Sequence, residues 1–282
     1  MPCGSDSRIA SQCNLTFFPG DFATNRRPAS GRRKTPEDEN PRHLGYTCAF
    51  SPDSRSPPMQ VEDAIRSRKS IRRFRPDPVP RAQIERILEL AAQAPSGANT
   101  QPWKVRAVSG AVRDALCRAV SAAAEREPQR HHAEYGYYPD PWFEPYLERR
   151  RTMGFSLYDT LGIARGDRAA RERQALRNFQ FFDAPVGLLI SMDRRMNTGS
   201  FLDMGMFIQN LMLAARGEGL HSCPQGVFAD YHQVVREQGL LGEEEILLCA
   251  VALGREAPEA PENGLVTERV PVAEFATFHG FD

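Results

Sequence analysis

The sequence predicts an α+β fold, in which helices alternate with few strands. Helical periodicity recurs along the chain after residue 59, and two apolar runs of strand length, Pro185–Ser191 and Glu245–Leu253, are typical of buried central strands. The chain contains no internal repeat and no G-x-G-x-x-G fingerprint. A Rossmann domain is therefore not expected.

Composition narrows the class of protein. The chain has 282 residues, enough for one large or two ordinary domains, and its charged and hydrophobic fractions of 26% and 41% are those of a globular protein. Its formal net charge is zero, which disfavours a general nucleic-acid binder. No apolar run reaches the roughly 18 residues that span a bilayer. We expect neither a nucleic-acid nor a membrane partner.

The cysteines indicate the compartment. No C-x-x-C pair is present, and no histidine stands at metal-ligand spacing from a cysteine, which argues against a zinc site and against a disulfide framework. Free thiols are typical of a reducing compartment, so we expect a cytoplasmic protein. The six cysteines are Cys3, Cys13, Cys48, Cys117, Cys223 and Cys249.

Residues 1–58 differ from the rest of the chain. Pro, Ser, Arg and Asn dominate, and no helical or strand period persists, so we predict a disordered N-terminal extension. The segment lacks the apolar core of a secretory signal, whereas its arginines leave an organelle-targeting alternative. The regular pattern begins near Met59, and residues 59–282 are predicted to form one folded domain.

The sequence pattern in the first part of this domain predicts three helices and one strand. They are a helix from Val61, a helix Arg81–Ala94, a strand Lys104–Ser109 and a helix Val112–Glu125. Prolines at 76, 78 and 80 predict an extended passage before the second helix. The segment between that helix and the strand is rich in small polar residues and predicts a turn.

The second part begins with an irregular aromatic segment, residues 127–165. It is predicted to be a surface lid or a partner contact, or alternatively a packed excursion over the core. A helix Arg168–Phe182 follows. The helix of residues 201–215 is apolar almost all round, which favours a core or a dimer interface. A loop at 221–226 and a short helix Tyr231–Gln238 precede the last strand.

A basic stretch from Arg66 to Phe74 stands out. Five of its nine side chains are cationic and two are hydroxyls. Guanidinium and hydroxyl groups suit a phosphate, whereas the simpler alternative is a solvated basic helix end.

Side chains do not identify the chemistry by themselves. No nucleophile elbow, metal-ligand cluster or acid pair is present, the His131-His132 pair is interpreted as surface histidines, and Cys223 as a structural thiol. Such a chain is typical of proteins in which a cofactor carries the reaction.

Four motifs occur in order: Arg68-x-Ser70-x-Arg72-x-Phe74, the segment Pro95–Trp103, Pro224-Gln225-Gly226 and Arg269-x-Pro271. Together they resemble the nitroreductase family of FMN-dependent oxidoreductases, over the chain from about residue 60 to the C-terminus. The segment Phe181–Gly187 and the aromatic segment look most like the branch that includes nitrobenzoate reductases.

The resemblance implies a three-layer α/β/α fold with a mixed central sheet, in an intertwined homodimer with one FMN at each of two interface sites. Arg68 and Arg269 would clamp the FMN phosphate, with Lys69 or Ser70 as further donors. Arg72 would reach the pyrimidine edge of the ring and stabilise the anionic reduced flavin.

The resemblance also implies which segments surround the flavin ring. A small-residue set from the other subunit would pack on the ring and ribityl chain, and a backbone N–H near Gly226 would face the flavin N5. The first set comprises Pro95, Ser96, Gly97 and Asn99, and the second comprises Pro224, Gln225 and Gly226.

The implied reaction is a ping-pong hydride transfer from NADH or NADPH through FMN to a small electron-poor aromatic such as a nitroarene, with residues 135–158 as the substrate-selecting lid. Arg149, Arg150 and Arg151 in that lid either attract a carboxylate-bearing substrate or form a solvated helix face. Alternatives on the same fold are a reductive dehalogenase, an enone reductase, a heterocycle oxidase or a non-catalytic flavin-binding protein.

Overall fold

A four-stranded antiparallel sheet lies at the centre of the computed structural model, which describes residues 59–281. The strands stand in the order β1-β2-β4-β3. Their bounds are β1 Lys104–Ser109, β2 Val186–Asp193, β3 His221–Gln225 and β4 Glu245–Gly254. The prediction of a mixed sheet is wrong for these strands, because every ladder is antiparallel. Parallel pairing in the described chain is confined to an isolated bridge between Ser70 and Ser222.

Eight α-helices accompany the sheet within residues 59–281, which confirms the α+β class. They are α1 Val61–Ser67, α2 Arg81–Ala91, α3 Gly110–Arg126, α4 Tyr146–Thr160, α5 Arg168–Leu176, α6 Thr198–Gly217, α7 His232–Glu237 and α8 Val272–Phe275. Short 3-10 helices cover residues 97–99, 128–130, 177–183, 226–231 and 261–264. The predicted helices are present, and most of their ends are shifted by a few residues or less. The exceptions are the aromatic segment 127–165 and the predicted helix Arg168–Phe182, which are described below.

Two hydrophobic cores lie on opposite faces of the sheet and produce the predicted three layers. Because successive strand residues point to opposite faces, Leu188 and Ile190 of β2 join one core while Leu189 joins the other. The first core is completed by α2 and α6, and the second by α3, α7 and the 3-10 segments. Burial on both faces explains the continuous apolar run of β2.

Helix α6 is buried on one side only. Met204, Phe207 and Leu211 are almost inaccessible and pack in the core, whereas Leu202 is 73% exposed. One face of α6 therefore packs in the core, as predicted, whereas another apolar face of the helix is exposed.

The aromatic segment contains a helix that the sequence prediction missed. Residues 146–160 form α4, preceded by Pro145 at the helix start. The rings and prolines of this segment suggested irregular structure, but Leu, Glu, Arg and Met within α4 are good helix formers. The prediction of irregular backbone is therefore wrong for this part of 127–165.

The predicted helix Arg168–Phe182 is interrupted. It ends as α5 at Leu176, and the chain continues as a 3-10 segment in which Phe181 and Phe182 both have a φ of 52°. Both rings are buried, and that of Phe181 stacks on Phe228 at a centroid distance of 4.8 Å. Burial of these two rings thus overrides the helical pattern.

The predicted loop at 221–226 is mainly a strand. Residues His221 to Gln225 form β3 and pair with β4. Pro224 is compatible with this strand because β3 is one of the two outer strands of the sheet, where a missing backbone N–H is tolerated.

Within the described chain, no helix has both the length and the apolar character needed to cross a bilayer. The predicted N-terminal extension, residues 1–58, lies outside the described residues and stays a prediction.

Candidate functional site

The basic stretch after α1 runs in an extended conformation along the outer edge of β3. The N–H of Ile71 donates to the carbonyl of Ser222 at 3.1 Å, and the N–H of Phe74 donates to that of Phe182 at 3.0 Å. Ile71 and Phe74 are buried, so they anchor the stretch while the polar side chains between them remain available.

Asn263 holds this stretch from the other side. Its Oδ1 accepts the N–H groups of Arg72 at 2.8 Å and Arg73 at 3.2 Å, and its Nδ2 donates to the carbonyl of Arg73 at 2.8 Å. The sequence offered no signal for this residue, because the two segments are far apart along the chain.

Two arginines of the predicted phosphate clamp lie near each other. Burial lowers the pKa of the Arg68 guanidinium, and the positive charge of Arg269 lowers it further. The Arg269 guanidinium is exposed and donates to Thr267 Oγ1 at 2.7 Å. Two neighbouring guanidinium groups repel each other, so the pair suits a divalent anion placed between them.

Ser70 and Arg72 complete the cluster around Cys223. Burial raises the pKa of the Cys223 thiol to about 11, although the charges of Arg72 and Arg68 and a hydrogen bond with Ser70 act in the opposite direction. A thiol with a raised pKa is neutral at pH 7, in agreement with the structural role expected of it. The structure therefore brings Arg68, Ser70, Arg72 and Arg269 together.

Lys69 points to a different partner. Its Nζ lies 3.5 Å from Glu256 Oε2, and Glu256 Oε1 lies 3.4 Å from His221 Nε2. Burial, followed by the charge of Arg216, lowers the pKa of His221 to about 4 in spite of Glu256. Because His221 is neutral, the charge of the Glu256 carboxylate balances that of Lys69. The Lys69 ammonium group therefore attracts an anionic ligand less strongly.

The remaining arginines of the stretch form surface ion pairs. Arg66 contacts Glu62 at 2.8 Å and Arg73 contacts Asp183 at 2.7 Å, all with exposed side chains. These exposed pairs indicate that Arg66 and Arg73 are ordinary surface charges.

The Pro224-Gln225-Gly226 segment ends β3 next to this cluster. Gln225 is buried, its Nε2 donates to the carbonyl of Asn178 at 2.6 Å, and its Oε1 has no hydrogen-bond partner among residues 59–281. Pro224 is exposed, and Gly226 begins the following 3-10 helix.

Tyr137 of the aromatic segment covers Gly226. A Cβ added to Gly226 would lie 2.9 Å from Cε2 of the tyrosine ring, so the ring would have to shift to admit any side chain at this position. The ring of Tyr137 packs on that of Tyr138 at a centroid distance of 4.6 Å, and Tyr138 packs on Trp142 at 5.1 Å. Arg150 of α4 lies over Trp142, 4.8 Å from the ring centroid, which extends the aromatic row to a cation.

The start of the aromatic segment is fixed to the sheet. The N–H of Ala133 donates to Asp230 Oδ1 at 3.0 Å, and Glu134 forms ion pairs of 3.0 Å with Arg194 and Arg236. The hydroxyl of Tyr135 donates to the carbonyl of Leu248. These contacts set where Tyr137 reaches Gly226.

The Pro95–Asn99 segment forms a tight turn. The N–H of Gln101 donates to Ser96 Oγ at 3.0 Å, and the N–H of Gly97 donates to Asp203 Oδ1 of α6 at 3.2 Å. Pro95, Gly97 and Asn99 are exposed.

Within one chain this turn lies away from the arginine cluster. Asp203 contacts the turn, whereas Arg216 near the other end of α6 donates to Ser67 Oγ at 3.3 Å, beside Arg68. The helical rise places Asp203 and Arg216 roughly 20 Å apart along α6. The structure thus assembles the 68–72, 224–226 and 269 positions and leaves 95–99 separate.

Comparison with known proteins decides the family. The protein-family model described as "Nitroreductase family" matches residues 65–255 of the sequence. The chain belongs to the nitroreductase family. The recognition made from the four sequence motifs is therefore confirmed.

Curated nitroreductases of this family cover most of the chain. The chloronitrobenzene nitroreductase of Comamonas testosteroni is 38% identical over 218 residues, which are 77% of this chain and 96% of the relative. The 4-nitrobenzoate reductase of Nocardioides sp. (strain LMS-CY) is 38% identical over 226 residues, which are 79% of this chain and 91% of the relative.

Solved nitroreductase structures agree with the fold. The FMN and NADPH-dependent nitroreductase NfnB from Sphigopyxis sp. strain HMH is 38% identical, with a TM-score of 0.77 over 79% of this chain and 100% of that one. The FMN-dependent NfnB from Mycobacterium smegmatis in complex with NADPH is 33% identical, with a TM-score of 0.74 over 78% of this chain and 97% of that one.

Proposed function

We propose that this nitroreductase is an FMN-dependent NAD(P)H oxidoreductase that reduces nitroaromatic compounds. The observation that carries the proposal is the stretch Arg68–Arg72, which the Ser70–Ser222 bridge and the Ile71 N–H bond to Ser222 hold at the edge of β3. There Arg68 is close enough to Arg269 for the two charges to interact. The pair fits a phosphate dianion, and the chain is similar to NfnB structures described as FMN- and NADPH-dependent. Relatives over most of the chain act on nitrobenzene and nitrobenzoate compounds, by their names.

The residues present fit FMN. Arg68, Arg269 and the Ser70 hydroxyl would hold the phosphate. Arg72, whose Nη1 donates to the carbonyl of Ser70 at 3.3 Å, would reach the pyrimidine edge of the ring. Lys69 would have a smaller part in phosphate binding than its charge suggests, because Glu256 balances that charge. The buried Gln225 Oε1, which has no partner within residues 59–281, supports a ligand beside the 224–226 segment.

A homodimer would complete the site. Segment 95–99 lies too far from the arginine cluster of its own chain, so a second copy would have to supply Pro95, Ser96, Gly97 and Asn99. The open apolar face of α6, with Leu202 73% exposed and Met206 39% exposed, supports an interface there. The C-terminal tail supports it as well, because Phe275, Phe278 and Phe281 are each at least 67% exposed.

When bound, FMN would supply the chemistry by accepting a hydride from a nicotinamide and passing it to the aromatic substrate. The chain would bind and orient. Arg72 would stabilise negative charge on the pyrimidine edge, and the small residues 95–99 would leave one face of the ring open. The aromatic row from Tyr137 to Trp142 would flank the entry beside Gly226 and exclude water.

We place this enzyme in the cytoplasm. Within the described residues the cysteines Cys117, Cys223 and Cys249 are all free and buried, which suits a reducing compartment.

The decisive experiment is a visible spectrum of the purified full-length protein, followed by anaerobic titration with NADH and NADPH. We expect a yellow protein that is bleached by a nicotinamide and reoxidised by 4-nitrobenzoate or chloronitrobenzene. A colourless protein that takes up no FMN would overturn the proposal. Faster reoxidation by halophenols or enones would favour a dehalogenase or an enone reductase, and a flavin that no nicotinamide reduces would indicate a non-catalytic protein.

A further inference from the structure

Asp203 is a buried carboxylate in the most apolar helix of the chain. It is 7% exposed and is the one acidic residue between Thr198 and Gly217. Within residues 59–281 it forms no salt bridge, and its recorded hydrogen bond comes from the N–H of Gly97 at 3.2 Å. Since burial of a charge without a cation is unfavourable, a carboxylate here contributes little to stability by itself.

The segment that Asp203 contacts is strained. Ala98, Asn99 and Gln101 have φ values of 50°, 56° and 46°, in the left-handed region that residues with a Cβ rarely adopt. Such a conformation persists only when its surroundings hold it, and it is concentrated at functional sites.

The contact to Asp203 joins this strained turn to the rest of the molecule. The other recorded hydrogen bonds of the turn are internal, such as those from Gln101 N–H to Ser96 Oγ at 3.0 Å and from Asn99 N–H to Ser96 O at 2.9 Å. Among the described residues, the Gly97–Asp203 bond is the one recorded hydrogen bond between residues 95–101 and a helix. Asp203 therefore sets where the turn stands relative to α6.

We propose that Asp203 is a positioning residue, which holds the Gly97 N–H and thereby fixes the 96–101 turn in the form that the flavin site requires. This inference rests on the proposed function, in which the turn packs on the flavin of the partner subunit. Asp203 acts through Gly97 and does not itself touch the flavin.

Three variants test the contact. Asp203→Asn keeps a side-chain oxygen that can accept the Gly97 N–H, whereas Asp203→Ala removes it. Gly97→Pro removes the donor instead: residue 97 is the first position of a short 3-10 helix, where proline is tolerated, Ser96 is already extended, and a Cβ would meet no atom within 4 Å. Asp167→Ala is the matched control, because Asp167 accepts the N–H of Ala170 at 2.9 Å at the exposed start of α5.

The measurements are FMN affinity by fluorescence, the visible circular dichroism of bound flavin, and the urea unfolding of the apo-protein. We expect Asp203→Ala and Gly97→Pro each to raise the Kd for FMN at least tenfold and to alter the flavin dichroism. Asp203→Asn and the control should stay within threefold of wild type. The double variant Asp203→Ala/Gly97→Pro should bind FMN no more weakly than either single variant, because both substitutions remove the same hydrogen bond.

Two outcomes would overturn the inference. One is an FMN Kd within threefold of wild type for both Asp203→Ala and Gly97→Pro. The other is an Asp203→Asn variant as impaired as Asp203→Ala, with stability lost in the same proportion, since a purely structural carboxylate would behave in that way. If Asp203→Ala does not fold, Asp203→Leu takes its place, because leucine fills the same space without a hydrogen-bond acceptor and leaves the flavin-facing residues 95–99 unchanged. A wild-type protein that binds no FMN would refute the proposed function instead, which separates the two failures.

Discussion

The ring of Tyr137 lies so close to Gly226 that a Cβ at position 226 would be 2.9 Å from ring carbon Cε2. The contact joins the aromatic segment to the end of β3, beside the arginine cluster. It explains why residue 226 is glycine, because any side chain would meet the ring.

Gly226→Ala should therefore destabilise the protein. Tyr137 is 53% exposed and is able to move, so we expect a loss of about 1 kcal/mol in the free energy of unfolding, the lower end of the range for overpacking. Urea denaturation measures it. The double variant Gly226→Ala/Tyr137→Ala removes the clash and should lose no further stability from the alanine at 226. An equal effect of Gly226→Ala in both backgrounds would contradict the contact.

Arg68→Ala should weaken FMN binding by about 1.5–3 kcal/mol, the scale of a hydrogen bond to a charged group. Fluorescence titration of the apo-protein with FMN measures this loss. Arg66→Ala is the control, because Arg66 forms an exposed pair with Glu62, and it should change the binding energy by less than about 1 kcal/mol. Unchanged flavin retention in Arg68→Ala would show that the phosphate is held elsewhere.

His221 should make stability depend on pH. Its Nδ1 accepts the N–H of Glu256 at 3.3 Å, so the neutral ring is favoured, and burial lowers its pKa to about 4 from 6.5. The unfolded chain takes up a proton near pH 6.5 and the folded one near pH 4. The contribution of His221 is therefore present above pH 6.5 and is lost as the pH falls through this window. A pKa difference of this size corresponds to about 3.4 kcal/mol, and partial exposure of the ring to solvent reduces the expected loss to about 2 kcal/mol.

The check is urea denaturation between pH 7 and pH 4 of wild type and His221→Asn. The variant should lose less stability than wild type over this range. His279→Asn, at an exposed histidine of the C-terminal tail, serves as the control substitution. Parallel curves for wild type and His221→Asn would contradict the assignment.

Leu202→Asp should disrupt the proposed dimer. Leu202 is 73% exposed on the open face of α6, where a carboxylate would stay solvated in a monomer, at a small loss of helix propensity, but would be buried in an interface. We expect the variant to elute as a monomer in size-exclusion chromatography with light scattering and to lose its flavin at the same time, because half of each site would be missing. Leu90→Asp introduces the same carboxylate at a residue that is 53% exposed on α2, and it is the control variant. A Leu202→Asp dimer that keeps its flavin would exclude this face as the interface.

Many residues of the proposed site could be proposed from sequence alone, because they are concentrated in short motifs. Arg68, Ser70 and Arg72 are within five positions of each other, and Gln225 and Gly226 are adjacent, so their pattern is visible without a fold. The role of Lys69 was not predictable, because Glu256, its ion-pair partner, lies far along the chain. The contacts of Asn263, Asp203 and Tyr137 were hidden for the same reason.

The sequence alone determined the α+β class, the order of most elements and the family, because periodicity and short motifs are local properties of the chain. The three-dimensional structure decided which distant residues meet. It brought Arg269 into electrostatic range of Arg68 and folded residues 221–225 into an outer strand that accommodates Pro224. It also buried Phe181 and Phe182 in the core, where they interrupt the predicted helix. It also separated the 95–99 turn from the arginine cluster, since the length of α6 lies between them. Burial and long-range pairing set these features, and neither is encoded in a local pattern.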